Sequence, residues 1–209
     1  MVDRKGSRRT QAERAEATRS RLLATAREMF IRDGYASTTM ARIAEAAGYA
    51  VQTVYLVFRT KGNLLLQVYE AAVVGDDDPV PPDQAPWFRA ALTTSDGPEA
   101  ITIFVEGSAQ ILRRTGPLES AVQNAEQTEP RVKRIHEQGE RLRVIGYRRF
   151  VESLSDRGLL TDAADLNESA DVLLTLLGPS TYATFTDDRG WTHSHYTDWA
   201  TRALSRLVL

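Results

Sequence analysis

Three histidines and a scatter of carboxylates and hydroxyls are the groups from which this 209-residue chain would have to build catalysis or a metal site. His193 and His195 stand at i and i+2, which point apart on a helix, while His136 and Glu140, at i and i+4, share a face. A third ligand at suitable spacing is missing, so solvated or interface histidines and no metal are expected. Ser194, His195 and Asp198 are too local for a hydrolytic triad, whose geometry needs separated chain segments. The chain has no cysteine, which removes disulfides, a thiolate nucleophile and Cys-based zinc. No G-x-S-x-G, P-loop or G-x-G-x-x-G pattern occurs. Neither a cofactor nor an enzyme activity is expected.

Residues 39–58, TMARIAEAAGYAVQTVYLVF, offer different chemistry, the reading of a DNA duplex. Two short helices that cross steeply need a small residue where they touch, and Ala44 fills that place. The tight turn between them needs a residue tolerant of positive φ, and Gly48 stands there. Ile43, Ala47, Tyr49 and Val54 supply an apolar seam to lock the pair. Val51, Gln52, Thr53, Tyr55 and Leu56 remain outward on the second helix, where side chains can enter a major groove. An ordinary αα-corner uses the same glycine and alanine logic, so this segment alone leaves both readings open.

The elements that position these residues follow from periodicity. Leu22, Ala26, Met29 and Phe30 fall at i, i+4, i+7 and i+8, one face of a helix from Ala12 to Asp33. Gly34 is expected to stop it in the left-handed conformation. Thr38 and Thr39 offer an N-cap for a short helix through Ala47. Another runs over about 51–58, and Lys61 starts a longer one to about Gly75. Residues 76–86, DDDPVPPDQAP, carry four prolines and four aspartates and read as a loop. Further helices are expected near 98–115, 118–127, 130–157, 165–187 and 193–208, with Gly178-Pro179 kinking or splitting the fourth of these. Strand signals are almost absent, and the fold class is all-α.

Charge divides along the chain. Residues 1–62 carry 12 Lys/Arg against 6 Asp/Glu, and residues 63–209 carry 14 against 22. A basic front on an acidic body suggests a polyanion-binding module joined to something else. Arg4, Lys5, Arg8 and Arg9 form an arm that either tracks a phosphate backbone or minor groove or is a tail without contacts. The opening has no apolar signal region and no stretch approaches the length of a membrane span, so a cytoplasmic location is expected.

From about Ser20 to Tyr69 the sequence resembles the TetR family of bacterial transcriptional regulators. The resemblance rests on Met29-Phe30, Gly34-Tyr35, Thr38-Thr39, Ile43-Ala44, Ala47-Gly48, Thr53-Val54-Tyr55, Phe58, Lys61 and Leu64-Leu65. It implies a three-helix DNA-binding domain over residues 1–60, then a larger helical ligand-sensing and dimerisation domain over residues 61–209. It further implies a homodimeric repressor that releases a pseudo-palindromic operator when a small molecule binds. Carried over by position, Thr39, Tyr55 and Lys61 are phosphate contacts, and Val51, Gln52, Thr53 and Leu56 are base-edge readers. Gln can bond adenine bidentately, Thr reaches polar edges or the thymine methyl, and Leu offers apolar contact. Two positions depart from the family pattern. Ala50 replaces a common Ser, removing a side-chain N-cap worth about 1 kcal/mol. Val57 replaces a polar residue and removes one phosphate contact, for which Thr38 or Arg42 can compensate.

In the body, Tyr196, Trp199, Ala200, Ala203, Leu204, Leu207 and Val208 make a stripe too wide for one packing partner. Leu166, Ala170, Leu173, Leu174 and Leu177 make another, so Leu173, Leu177, Tyr196, Trp199, Ala203 and Leu207 are candidates for a dimer seam. A ligand pocket between the middle helices would draw bulk from Trp87, Phe88, Phe104, Tyr147, Phe150 and Tyr182. Glu106, Gln110, Arg113, Gln123 and Thr175 would supply its polar anchors. The rival reading is a helical ligand carrier or scaffold whose basic front is incidental.

Overall fold

A capping box starts the first helix: Thr10 accepts from the Glu13 amide, and the Glu13 carboxylate accepts from the Thr10 amide. The computed structural model describes residues 10–75, 79–161 and 165–209, so the basic arm of Arg4, Lys5, Arg8 and Arg9 lies outside it. Helix α1 spans Gln11–Ser37 and α2 spans Met40–Ala47. Gly34 does not end α1 as a left-handed cap. Its φ of 75° comes with a ψ of 174°, which kinks the helix and leaves a last turn through Ser37. Thr39 caps α2, and Gly48 closes it in the left-handed conformation with φ 77° and ψ 34°. Helix α3 spans Val51–Phe58 from an Ala50 N-cap that makes no side-chain bond, and α4 spans Lys61–Val74 from a Thr60 cap.

The body continues with α5 (Pro86–Thr93), α6 (Gly97–Thr115), α7 (Glu119–Glu126) and α8 (Pro130–Asp156). It ends with α9 (Leu166–Leu176), α10 (Pro179–Ala183) and α11 (His193–Val208). Helix α5 overturns the reading of Pro86 as the end of a loop, because proline at the first helical position loses no bond that a helix would make. Gly178-Pro179 splits the penultimate helix outright, with Pro179 opening α10. No strand occurs among the described residues, and none of their helices is long and apolar enough to cross a membrane.

Two apolar cores result. The first joins α1–α4 to α7 and the start of α8, through Leu22, Phe30, Ile43, Val54, Phe58, Leu65, Val122 and Val132. The second fills the space between α5, α6, α8, α9, α10 and α11. The core around the short helices therefore extends past Thr60 and takes in α4 and α7.

Polar contacts tie α4 to the body at three heights. Near its start, the Tyr35 hydroxyl donates to Glu129 at 2.9 Å, while Lys61 Nζ donates to the Tyr35 carbonyl at 2.8 Å. Midway, the Tyr69 hydroxyl donates to Glu119 at 2.8 Å, and burial pushes the Glu119 carboxyl above the usual carboxylate range. At its end, Arg114 donates to the Ala72 and Val73 carbonyls at 2.7 and 2.9 Å, satisfying groups the helix leaves unbonded.

Candidate nucleic-acid interface

The seam residues of the α2–α3 pair are buried: Ile43, Ala44, Ala47 and Val54 are each no more than 2% exposed. That fixes which face of α3 is left outward. Gln52, Tyr55, Leu56 and Arg59 fall at i, i+3, i+4 and i+7, and all four are exposed. Leu56 is 83% exposed, more than any other large hydrophobic side chain among the described residues, and with Tyr55 at 51% it gives this face an apolar patch. Thr53 and Val51 sit at the edges of this face, half-buried, and Val51 also packs against the first core.

The expected phosphate contacts divide. Thr39 is exposed, and its hydroxyl oxygen accepts from the Arg42 amide at 3.2 Å, which leaves its proton available to a phosphate. Tyr55 is 51% exposed. Arg42 is exposed but engaged, donating to the Ser37 carbonyl at 2.7 Å and to Asp33 at 3.0 Å. Thr38 is fully buried, and its hydroxyl lies 2.8 Å from the Gly34 carbonyl and 3.2 Å from that of Met29. It secures the kinked end of α1 and presents nothing to solvent, which corrects the expectation of a phosphate contact there.

Lys61 is half-buried at the first position of α4, with its ammonium 3.9 Å from the Tyr35 ring centre. Burial lowers its pKa from the ordinary lysine value, and the nearby Glu129 opposes that shift. The residue is held in place, with its charge at the mouth of the helix.

Arg59 is a member of this surface that sequence periodicity misses. Its φ of 65° and ψ of −50° make it the one non-glycine residue of positive φ among those described. The Thr60 amide donates to the Phe58 carbonyl at 2.7 Å across it, closing a γ-turn of the strained hand. This turn sets the angle between α3 and α4. Such strain costs about 1–3 kcal/mol, whereas a glycine there loses about 0.4–1 kcal/mol through the unfolded chain. Arg59→Gly is therefore expected to stabilise the fold by about 1 kcal/mol, read as a raised denaturation midpoint. A lowered midpoint would show that the turn is unstrained.

Cavities open in the body among the described residues. One of about 520 Å³ lies between the end of α4, the start of α5, α6 and the start of α11, with Val74, Trp87, Ile103, Glu106, Gln110 and Arg114 on its walls. Trp87 lies flat on α6 because position 107 is glycine, where a Cβ would stand 2.2 Å from the indole. A second cavity, of about 230 Å³, is bordered by Arg113, Tyr182, Trp191 and His193. Gln110 and Tyr182 thus reach cavities. Phe104, Tyr147 and Phe150 do not: they are packed together in the second core, with the Phe104 and Phe150 rings stacked at 3.9 Å. Gln123 and Thr175 are exposed and border neither cavity. Among the dimer candidates, Leu173, Leu177 and Tyr196 are fully buried within their own subunit. Trp199 and Ala203 are half-buried, and Leu207 is 59% exposed. His136 meets Glu126 at 2.6 Å on α7, not Glu140 on its own helix.

Residues 22–68, the stretch that builds α2, α3 and most of α1 and α4, match the profile of bacterial regulatory proteins of the tetR family. Over those residues the chain is similar to the tetR family. The match falls on the segment with which regulators of that family bind DNA. The fold agrees across nearly the whole length. NalD of Pseudomonas aeruginosa shares 20% identity at a TM-score of 0.70, over 94% of this chain and 98% of its own. SmeT, solved with triclosan, shares 18% at 0.70, over 92% of each chain. PfmR of Thermus thermophilus shares 18% at 0.67, over 90% of this chain and 97% of its own. No curated protein matches the chain significantly by sequence.

Proposed function

We propose that the protein is a homodimeric repressor that reads a pseudo-palindromic operator with α3 and releases it when a small molecule enters the body. The division is a DNA-binding unit over residues 1–60 and a sensing and dimerising unit over residues 61–209. The observation that carries this reading is the outward face of α3. It presents Gln52, Tyr55, Leu56 and Arg59 to solvent, with an exposed Arg42 on α2 and a half-buried Lys61 at the start of α4. Gln52, Thr53 and Leu56, with Val51 at the edge, read bases, while Thr39, Arg42, Tyr55 and Lys61 hold phosphates. NalD, which shares the fold, is a repressor of a multidrug efflux pump, and SmeT binds triclosan.

The larger cavity suits the effector. Its walls are mainly apolar, with Glu106 and Gln110 as polar anchors, and Val73, Val74 and Arg114 place it against the end of α4. A molecule that displaced Arg114 would remove the bonds capping α4 and so bias the tilt of the helix that follows α3. A coupling of about 1–3 kcal/mol weakens operator binding about 5–150-fold, and DNA weakens effector binding by the same factor.

The test is a footprint on the DNA upstream of the protein's own gene, which should show two protected half-sites about one helical turn apart. Gln52→Ala should relax base choice at one position of each half-site by about 1–3 kcal/mol. Lys61→Ala should weaken all sequences alike. If Lys61→Ala altered base preference and left the salt dependence intact, the division of roles between α3 and α4 would be wrong.

A further inference from the structure

We infer that the first turn of α8 is a second DNA-backbone surface, outside the helix-turn-helix, formed by Arg131, Lys133 and Arg134. The inference rests on the regulator reading above and extends its contact surface into the body. Its basis is where α8 begins. Lys61 Nζ stands 3.9 Å from the Tyr35 ring centre, and the Tyr35 hydroxyl meets Glu129 at 2.9 Å. Glu129 is the residue before α8. Gly62 lies against the same turn, where a Cβ would stand 3.3 Å from the Val132 side chain. The start of α8 therefore sits beside the start of α4, at the end of the molecule that carries α3. The two helices then run together, with the His136 ring 5.6 Å from that of Tyr69 farther along.

Direction follows from helix geometry. Val132 is 1% exposed and faces α4, so Arg131 and Lys133 flank it at roughly 100° to either side, and Arg134 lies on the outer face. Each Cα–Cβ bond in a helix tilts toward the N-terminus, so first-turn side chains lean past the helix end toward the side where Lys61 and α3 lie. Arg131, Lys133 and Arg134 are all exposed, and none is in an ion pair among the described residues. Of the neighbouring carboxylates, Glu129 is engaged by Tyr35 and Glu126 by His136, while Glu137, at i+4 from Lys133 and i+3 from Arg134, is in no ion pair with either among the described residues. Glu137 is exposed one turn farther from that end.

Three cations spread over an open helix end cannot enclose a small anion. They suit a repeating line of phosphodiesters, and such contacts are blind to base sequence. Each one releases condensed counterions, so it appears in the slope of log Kobs against log salt as about 0.9 per phosphate on B-DNA.

The experiment measures that slope by fluorescence anisotropy on a mixed-sequence duplex about three helical turns long. Wild type is compared with R131Q/K133Q/R134Q and with R141Q/R148Q/R149Q, which removes the same charge from farther along α8. Circular dichroism checks that each variant is folded, and R131K/R134K keeps the charge in place. With two subunits on the duplex, the first variant should flatten the slope by about 1.8 to 5.4, while the second and the charge-keeping variant leave it unchanged. Equal slopes in both triple variants would overturn the α8 surface while leaving the regulator reading standing. A wild type that binds no duplex would overturn both.

Discussion

Phe150→Ala is expected to lower the unfolding free energy by about 3–5 kcal/mol, against a total of about 5–15 kcal/mol for a domain. Phe150 is fully buried and stacked on Phe104 with ring centres 3.9 Å apart and planes within 8°. Phe104 in turn meets Tyr147 at 5.0 Å, and Phe88 and Trp87 at 6.1 Å, so one ring anchors α5, α6 and α8 together. Removing Phe150 strips Phe104 of its stacking partner and leaves a void in a region that helices hold open from several sides, where collapse is restricted. All three tryptophans, Trp87, Trp191 and Trp199, pack against this second core, so their fluorescence follows the body alone. The denaturant midpoint read by tryptophan should fall steeply. Phe150→Leu, which keeps most of the volume, should lose far less. A loss under about 1.5 kcal/mol for the alanine variant would mean that the stack is not the centre of the body's core.

The contrast between the two halves of the molecule shows what a sequence displays. The α2–α3 pair was legible because its determinants are local. Ala44, Gly48 and the seam around Val54 lie within a few residues of one another, and each residue type answers a backbone requirement at its own position. Thr38 and Thr39 mark the limit even there. Both are competent caps, and only the ψ of Gly34, set by how α1 meets the first core, decides which hydroxyl turns inward. Arg59 carried no sequence signal at all, because an arginine of positive φ is imposed by its surroundings. In the body, the period of 3.6 gave faces but not neighbours. Phe104 and Phe150 have the composition of pocket walls, yet they pack against each other, while Trp87 reaches the larger cavity because Gly107 opposite has no side chain. Gln123 and Thr175 were chosen by type, and both lie on faces turned to solvent.

Trp199→Glu should dissociate the proposed dimer at micromolar concentration and abolish tight operator binding with it. The wide stripe of α11 promised two buried faces, and one subunit accounts for only one of them. Tyr196, Ala200, Leu204 and Val208 are fully buried inside the subunit. Trp199, Ala203 and Leu207 follow one another at i, i+4 and i+8 along the adjoining flank and remain partly or largely exposed. Leu166, 40% exposed at the start of α9, adds a further apolar group that the subunit leaves uncovered. A second copy of the same two helices would cover such a surface by two-fold symmetry. Glutamate at position 199 would then sit unpaired in that seam, at a cost of several kcal/mol. Trp199 also touches Phe185 at 4.6 Å within its own subunit, so its replacement perturbs the fold as well. Leu207→Glu separates the two effects, because a side chain 59% exposed in one subunit contributes little to that subunit's own core. Sedimentation velocity should show a folded monomer for Leu207→Glu, with helical content unchanged by circular dichroism. Dimers as tight as wild type in both variants would move the two-fold contact to α8, where Leu142 and Ile145 are each 61% exposed on one face.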